Sequence, residues 1–277
     1  MTTGDRIVII AGKEFHDLWR SRWFAVMAIG FATLALAFSL LGMASLGLSG
    51  IAGFGRTTAS LVNLVVLIVP LMGLVMGAMS LAAEREHGTL LMLLAQPVTV
   101  TEVFLGKLAG LVAALTAAVL GGFALSAIFI ARAVGWAELS DYLLLAGLTV
   151  GLGVAHLALG LWLSAGSRHS ATALGLAVFC WMAVVFLGDL GVIGTAIVLR
   201  LTPAHLLWLA LGNPAQVFRL AVVRAISGDV DMLGPAGLYA VSRLGGGLMP
   251  LLLGVLTMWA IVPLAAALIR FRQRGAL

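Results

Sequence analysis

Residues 60–97 read SLVNLVVLIVPLMGLVMGAMSLAAEREHGTLLMLLAQP. From Ser60 to Ala83 no side chain is charged. As a helix that stretch rises ~36 Å, enough to cross a hydrocarbon core about 30 Å thick. Glu84, Arg85, Glu86 and His87 then interrupt it, and a short apolar run follows from Leu90 to Ala95. Pro97 should close that run, because the residue before a proline is pushed out of the α region. Next, Thr99-Val100-Thr101-Glu102 has the capping-box spacing that opens a further apolar run. The order predicts a short helix along the membrane surface between two spanning helices. Its apolar face and charged flanks suit a docking partner.

Working outward, five more stretches are long enough to span: Trp23 to Leu48, Glu102 to Ala131, Tyr142 to Ala165, Ala171 to Gly188 and Leu248 to Ile269. The composition agrees. Of 277 residues, 62% are apolar and 10% charged, with a mean hydropathy of +1.16. Soluble domains run at roughly 45–50% and 25%. A water-soluble globular fold is excluded, and the chain reads as an all-α polytopic membrane protein with six transmembrane helices. A seventh candidate, Leu190 to Leu201 followed by Ala204 to Leu211, is broken by Arg200 and Pro203. Its two pieces are too short to cross, so it reads as re-entrant or interfacial.

Sidedness follows from the basic residues. With six spans, one side holds ten of them: Arg6, Lys13, Arg20, Arg22, Arg85, Lys107, Arg168, Arg270, Arg272 and Arg274. The other holds Arg56 and Arg132 in short loops, and Arg200, Arg219, Arg224 and Arg243 in one long loop that translocates with less regard to charge. Both termini are therefore expected in the cytoplasm. The net charge of +5 sits at the flanks of apolar blocks, which is a signature of membrane orientation, and no nucleic acid is expected as a partner. The single cysteine, Cys180, lies inside a span and offers no disulfide framework or metal cluster. Charges scattered through the first 22 residues interrupt any signal-peptide core.

Residues 1–22 read as an amphipathic interfacial helix, with Ile7, Ala11, Phe15 and Leu18 on one stripe and Lys13, Glu14, Asp17 and Arg20 mostly elsewhere. Residues 23–277 form the six-span domain. It contains the surface helix at 84–97 and an outer segment at 189–247. In that segment Asn213-Pro214 is an N-cap and first-turn pair, and Phe218, Val222 and Ala225 recur at helical spacing. A small external cap of short helices is expected there, with Arg219 and Arg224 available to a partner outside.

Catalytic chemistry is not legible. No GxxxxGK[ST] motif occurs, since Gly12-Lys13 and Gly106-Lys107 lack the preceding glycine and the following hydroxyl. ATP, if used, is bound by another chain. No HExxH, CxxC or paired intramembrane carboxylates appear. Gly47-Leu48-Ser49-Gly50 matches a short serine-protease motif with His156 as base, but it closes a first span where a protease would open a late helix. His156 and Asp189 are the ionisable groups in or at the spans, so they form a possible polar site. A hydrogen-bonded imidazole and a water-boundary carboxylate are the plainer roles. Met72, Met76 and Met79 share a helix face, which suits packing or a soft metal. Gly73-xxx-Gly77, Gly106-xxx-Gly110 and Gly147-xxx-Gly151 permit close helix approach within or between protomers.

The run Glu84-Arg85-Glu86-His87-Gly88-Thr89-Leu90, then Leu93-Leu94, Pro97 and Gly106-Lys107, resembles the cytoplasmic motif of ABC-2 type exporter permeases. Lys13-Glu14 leading to Ser21-Arg22-Trp23 is similar to the same family, and the likeness covers essentially the whole chain. Within the family, the run Gly88 to Leu94, with Gly212-Asn213-Pro214 and Phe218-Arg219-Leu220, looks most like the NosY-type permeases of nitrous oxide reductase maturation. The chain departs at Pro97, where Val98, Thr99 and Val100 stand in place of a basic residue.

The resemblance implies a type V exporter-like fold and a non-enzymatic permease subunit in a bacterial inner membrane. It implies a homodimer, a separate cytoplasmic ATPase that holds the ATP, and a periplasmic β-helical accessory protein serving copper-site assembly. No catalytic, cofactor or metal site is implied in this chain. The coupling helix would dock the ATPase through Glu84, Glu86, Gly88, Thr89, Leu90, Leu93, Leu94 and Pro97. An ABC-2 exporter of a drug, lipid or polysaccharide shares every feature except the external partner, and an intramembrane enzyme would need no ATPase at all.

Overall fold

The computed structural model describes residues 2–49, 52–133, 139–188, 202–227 and 234–274, all helix or short turn with no strand among them. Helix α1 (Thr3–Arg20) starts on a complete capping box. Asp5 N–H donates to Thr2 Oγ1 at 3.3 Å, and Thr2 N–H donates to the Asp5 carboxylate at 2.8 Å. Ser21 is extended and separates α1 from α2 (Arg22–Ser49). Then follow α3 (Ala52–Glu86), the short α4 (Thr89–Leu94), α5 (Val100–Ala133) and α6 (Leu139–Gly166). Helix α7 (Ser170–Met182) continues as a π turn over Ala183–Leu187.

Four of these helices, together with α11 (Leu248–Arg274), are long and apolar enough to span a membrane, giving five in all. The sixth expected span is shorter, an apolar helix of 17 residues from Ser170 to Phe186. With its π turn α7 rises about 27 Å, close to the hydrocarbon thickness.

Helix α3 is the central element, packed along α6 and flanked by α2 and α7. Glycines make the α3–α6 contact backbone to backbone. A Cβ on Gly77 would lie 2.4 Å from Leu157 O, and one on Gly160 would lie 2.3 Å from Leu74 O. The Gly73-xxx-Gly77 spacing is thus used within the protomer. Gly106 and Gly110 are also internal, where α1 lies so close on α5 that a Cβ at Gly110 would meet Ala11 O at 2.5 Å. Gly147 has nothing within 4 Å of its Cβ position. Helix α1, helix α4, the start of α5 and the end of α11 gather at one end of the bundle, called here the terminal face. Arg272 Nη2 donates to Thr101 Oγ1 there at 2.8 Å.

The outer segment is described in part. Residues 189–201, including Asp189 and Arg200, lie outside the described residues. After them, α8 (Pro203–Leu211) and α9 (Pro214–Val222, with a π turn to Ser227) form a pair bent by 111°. Helix α8 starts at Pro203 after the extended Thr202, and the bend falls at Gly212-Asn213; Pro203 and Pro214 each sit at a first helical turn, where a missing N–H costs nothing. Ala215, Val217, Phe218, Ala221 and Val222 are buried, and α9 packs on α6 and α11. This helix therefore packs on the bundle, and by length and composition the bent α8–α9 pair is a broken span or a re-entrant loop. Helix α10 (Gly234–Leu244) leads through a 3₁₀ turn into α11.

Asn213 fixes the hairpin. Its Oδ1 accepts from Ala215 N–H at 2.9 Å and its Nδ2 donates to Val184 O at 2.7 Å. That carbonyl lies in the π turn of α7, where the altered register leaves a backbone acceptor for a neighbour.

Candidate functional site

The expected surface helix is present as α4, and its geometry begins at Gly88. That residue has φ 72°, a left-handed conformation that glycine adopts without the cost of a Cβ. It turns the chain out of α3 and into α4. Thr89 Oγ1 donates to Glu84 O at 3.2 Å and His87 Nδ1 lies 2.6 Å from Ala83 O, so the turn is held by its own side chains. Helix α4 ends at Leu94, before the exposed Pro97. Behind it, Thr99 and Glu102 form the capping box read from their spacing, with Thr99 N–H donating to Glu102 Oε2 at 2.7 Å and Glu102 N–H to Thr99 Oγ1 at 3.2 Å.

The outward face of α4 is not the one expected. Leu90 is fully buried in the protomer core, while Leu93 and Leu94 are half-buried against that core. Leu91 and Met92 point away, 61% and 73% exposed. The docking stripe Leu90-Leu93-Leu94 is thereby corrected: one of its leucines anchors the helix, and the free apolar surface belongs to Leu91 and Met92. Glu84 and Glu86 are engaged internally too. Glu86 accepts from Ser170 N–H at 2.8 Å and from the Ser170 hydroxyl, capping α7.

Glu84 belongs to an ion cluster at the root of α4. Lys107, on α5 and only 1% exposed, places Nζ 2.6 Å from Glu14 Oε1 and 2.9 Å from Glu84 Oε1. Lys13 lies 3.3 Å from Asp17, 3.4 Å from Glu84 and 3.6 Å from Glu14. Burial works to lower the Lys13 ammonium's pKa, but the Glu14, Glu84 and Asp17 carboxylates outweigh it and raise the value. The apolar stripe of α1 leaves Glu14 among the residues expected to lie mostly elsewhere. Glu14 instead faces inward beside Ile10, 8% exposed, because Lys107 waits there as its partner. In the sequence Lys107 counts toward sidedness and the Gly-Lys motif, and neither role names Glu14 or Glu84 as its partner. A lysine inside an apolar helix needs an intramembrane partner, and that was the available signal.

The cluster links several helices. Glu14–Lys107 ties α1 to α5, and Arg6–Glu102 at 3.6 Å repeats the tie. Glu84–Lys107 adds α3. Arg85, one residue on, donates to Ser164 O at 3.3 Å and to Ser167 O, joining α3 to α6. Ser164 Oγ in turn donates to Ala78 O at 2.6 Å and accepts from Ala82 N–H at 2.8 Å. Contacts at the root of α4 thus join α1, α3, α5, α6 and α7.

The remaining expected site residues do not join this site. His156 is fully buried in α6, with Nδ1 2.8 Å from Leu152 O and no hydrogen-bond partner for Nε2 among the described residues. Asp189 lies outside the described residues, so the pairing of His156 with it is not described. Arg219 and Arg224 are half-buried on α9 and its π turn. Their helix is packed on α6 and α11. Met72 and Met76 are buried as packing residues, and Met79 is 36% exposed. No group of three or more His, Cys, Asp or Glu side chains suited to a metal occurs among the described residues.

The family model described as "ABC-2 family transporter protein" matches residues 8–276. A "Probable ABC transporter permease protein NosY" of Stutzerimonas stutzeri is 32% identical over 271 residues, covering 96% of this chain and 97% of the relative. A protein of the same description from Pseudomonas aeruginosa is 32% identical over 281 residues, again covering 96% and 97%.

Proposed function

We propose, from the premise that the chain belongs to the ABC-2 family of transporter proteins, that α4 docks a cytoplasmic ATPase and passes its movement to the bundle. The chain is a multi-pass ABC transporter permease, a transmembrane component whose ATP hydrolysis resides in a separate partner. The observation that carries the docking reading is the exposed Leu91-Met92 pair on a helix rooted in the Lys107 cluster. A groove on the ATPase would bury that pair as it would any short amphipathic helix.

The finer reading places the termini and α4 in the cytoplasm and pairs two copies of the chain with two ATPase subunits. It assigns the assembly to copper-site maturation of nitrous oxide reductase with a periplasmic partner. Support comes from the basic residues concentrated toward the terminal face and from two relatives named as NosY permeases along nearly their whole length. In the mechanism, ATPase closure pulls on α4. Gly88 serves as the pivot, and Glu84 and Arg85 carry the pull to α1 and α5 on one side and to α6 on the other. The α3–α6 pair moves as one block because its contact is backbone on backbone.

The test is a Leu91→Asp/Met92→Asp variant. Each buried apolar side chain contributes about 1.5–3 kcal/mol, so co-purification of the ATPase should fall by at least about tenfold. Both positions are exposed, so the permease should retain its wild-type yield and elution volume. Undiminished ATPase recovery with that variant would remove α4 as the docking element. An ATPase whose gene lies beside neither a β-helix protein nor a copper chaperone would favour a general exporter.

A further inference from the structure

A cavity of about 350 Å³ lies beside the ion cluster, between α1, α2, α3, α5 and α7, within the size range of small-molecule sites, roughly 300–1,000 Å³. Its walls are apolar, including Leu18, Met76 and Leu111. Trp23, Met79 and Leu174 also line it and are each 36% exposed, so it opens sideways through the membrane-facing flank near the terminal face. Its polar end is formed by Glu14, Asp17, Glu84 and Ser80.

Two features of that end call for a ligand. Ser80 is nine-tenths buried, and its hydroxyl has no hydrogen-bond partner among the described residues. Glu84 Oε2 is likewise buried and without a partner, since both lysines engage Oε1. A buried acceptor left unpaired costs about 1–3 kcal/mol, more when charged. The charge is also incomplete: the three carboxylates of Glu14, Asp17 and Glu84 face the two ammonium groups of Lys13 and Lys107, leaving one negative charge. At the rim, Ser21 lines the cavity between the exposed Arg20 and Arg22.

We propose that this cavity binds the headgroup of a phosphatidylethanolamine drawn from the surrounding leaflet. A primary ammonium carries three N–H donors, enough for Glu84 Oε2 and the Ser80 hydroxyl, and it supplies the missing positive charge. Its phosphate falls at the rim beside Arg20 and Arg22. The acyl chains leave through the opening bordered by Trp23, Met79 and Leu174. Phosphatidylcholine fails because a quaternary ammonium has no N–H to donate. Phosphatidylglycerol fails because it brings no cation to an acidic end.

The experiment is native mass spectrometry of the full chain, purified in neutral detergent with equimolar phosphatidylethanolamine, phosphatidylcholine and phosphatidylglycerol. One phosphatidylethanolamine per chain should be retained in preference to the others. Ser80→Ala, which leaves the cluster intact, should weaken that retention about tenfold, the loss of one hydrogen bond to a charged group. Met79→Trp, which fills the opening, should abolish it. Equal retention of the three lipids would overturn the proposal, as would undiminished retention in both variants. If Met79→Trp disrupts self-association yet leaves lipid retention unchanged, the cavity belongs to a second copy of the chain and the proposal falls.

Discussion

Replacing Lys107 by methionine keeps much of the length and packing of the side chain and removes only its charge. Two carboxylate oxygens, on Glu14 and Glu84, lie 2.6 and 2.9 Å from the ammonium that would vanish. They would then face one another in a site where Lys107 is 1% exposed, with Lys13 at 3.4–3.6 Å as the remaining nearby ammonium. Breaking a buried pair by deleting one partner costs about 3–5 kcal/mol, because the other charge is left uncompensated. At roughly 2–4 °C per kcal/mol, Lys107→Met should lower the melting temperature by about 6–20 °C. The assay is a thermal melt of purified permease in one detergent, followed by loss of the monodisperse peak. The double variant Lys107→Met/Glu84→Gln should recover part of the loss, since it removes one of the stranded charges. A single-variant loss below about 1 kcal/mol, the range of exposed pairs, would refute the picture of a dry, buried cluster.

Three further outcomes follow from particular contacts. Gly160→Ala places a methyl 2.3 Å from Leu74 O and should destabilise by at least about 1–3 kcal/mol through overpacking, whereas Gly147→Ala, with open space around it, should stay within about 0.5 kcal/mol; parallel melts of the two decide it. Asn213→Ala removes both a helix cap and the donor to Val184 O. It should cost about 2–4 kcal/mol and speed proteolysis of the α8–α9 hairpin. Lys13 has a raised pKa in the fold, so its contribution is complete below the ordinary lysine value, about 10.4, and is lost as pH rises through the higher folded value. Alkaline melts of the wild type should therefore fall more steeply than those of Lys13→Met.

Much of this fold was legible because lipid imposes a coarse rule: apolar blocks of sufficient length must become helices. The spans, the Thr99–Glu102 capping box and the inner stripe of α1 follow from spacing alone. Other features escaped for identifiable reasons. The α4 sequence TLLMLL is apolar at nearly every position, so periodicity is silent and only packing reveals that Leu90 is the anchor. Glu14 does occupy the stripe by helical spacing, three residues after Ala11. A charge there looks misplaced until Lys107, 93 residues away, is brought beside it. In α9 the spacing of Phe218 and Val222 announced a helix with an apolar face. It did not say whether that face met the bilayer surface or the bundle, because both are apolar.

The separation of Glu14 and Lys107 also dictates an order of assembly during synthesis. Helix α1 leaves the ribosome with a carboxylate on its apolar stripe, and its acceptor groove on α5 does not yet exist. At roughly 5–20 residues per second, the 93 residues between them take about 5–20 s to make. During that interval Glu14 lacks the counter-charge that it meets in the fold. Lys107 then arrives with α5 and meets a counter-charge already in place, and the two polar groups leave water together. Of the two helices, the one made earlier is thus seated only when the later one arrives.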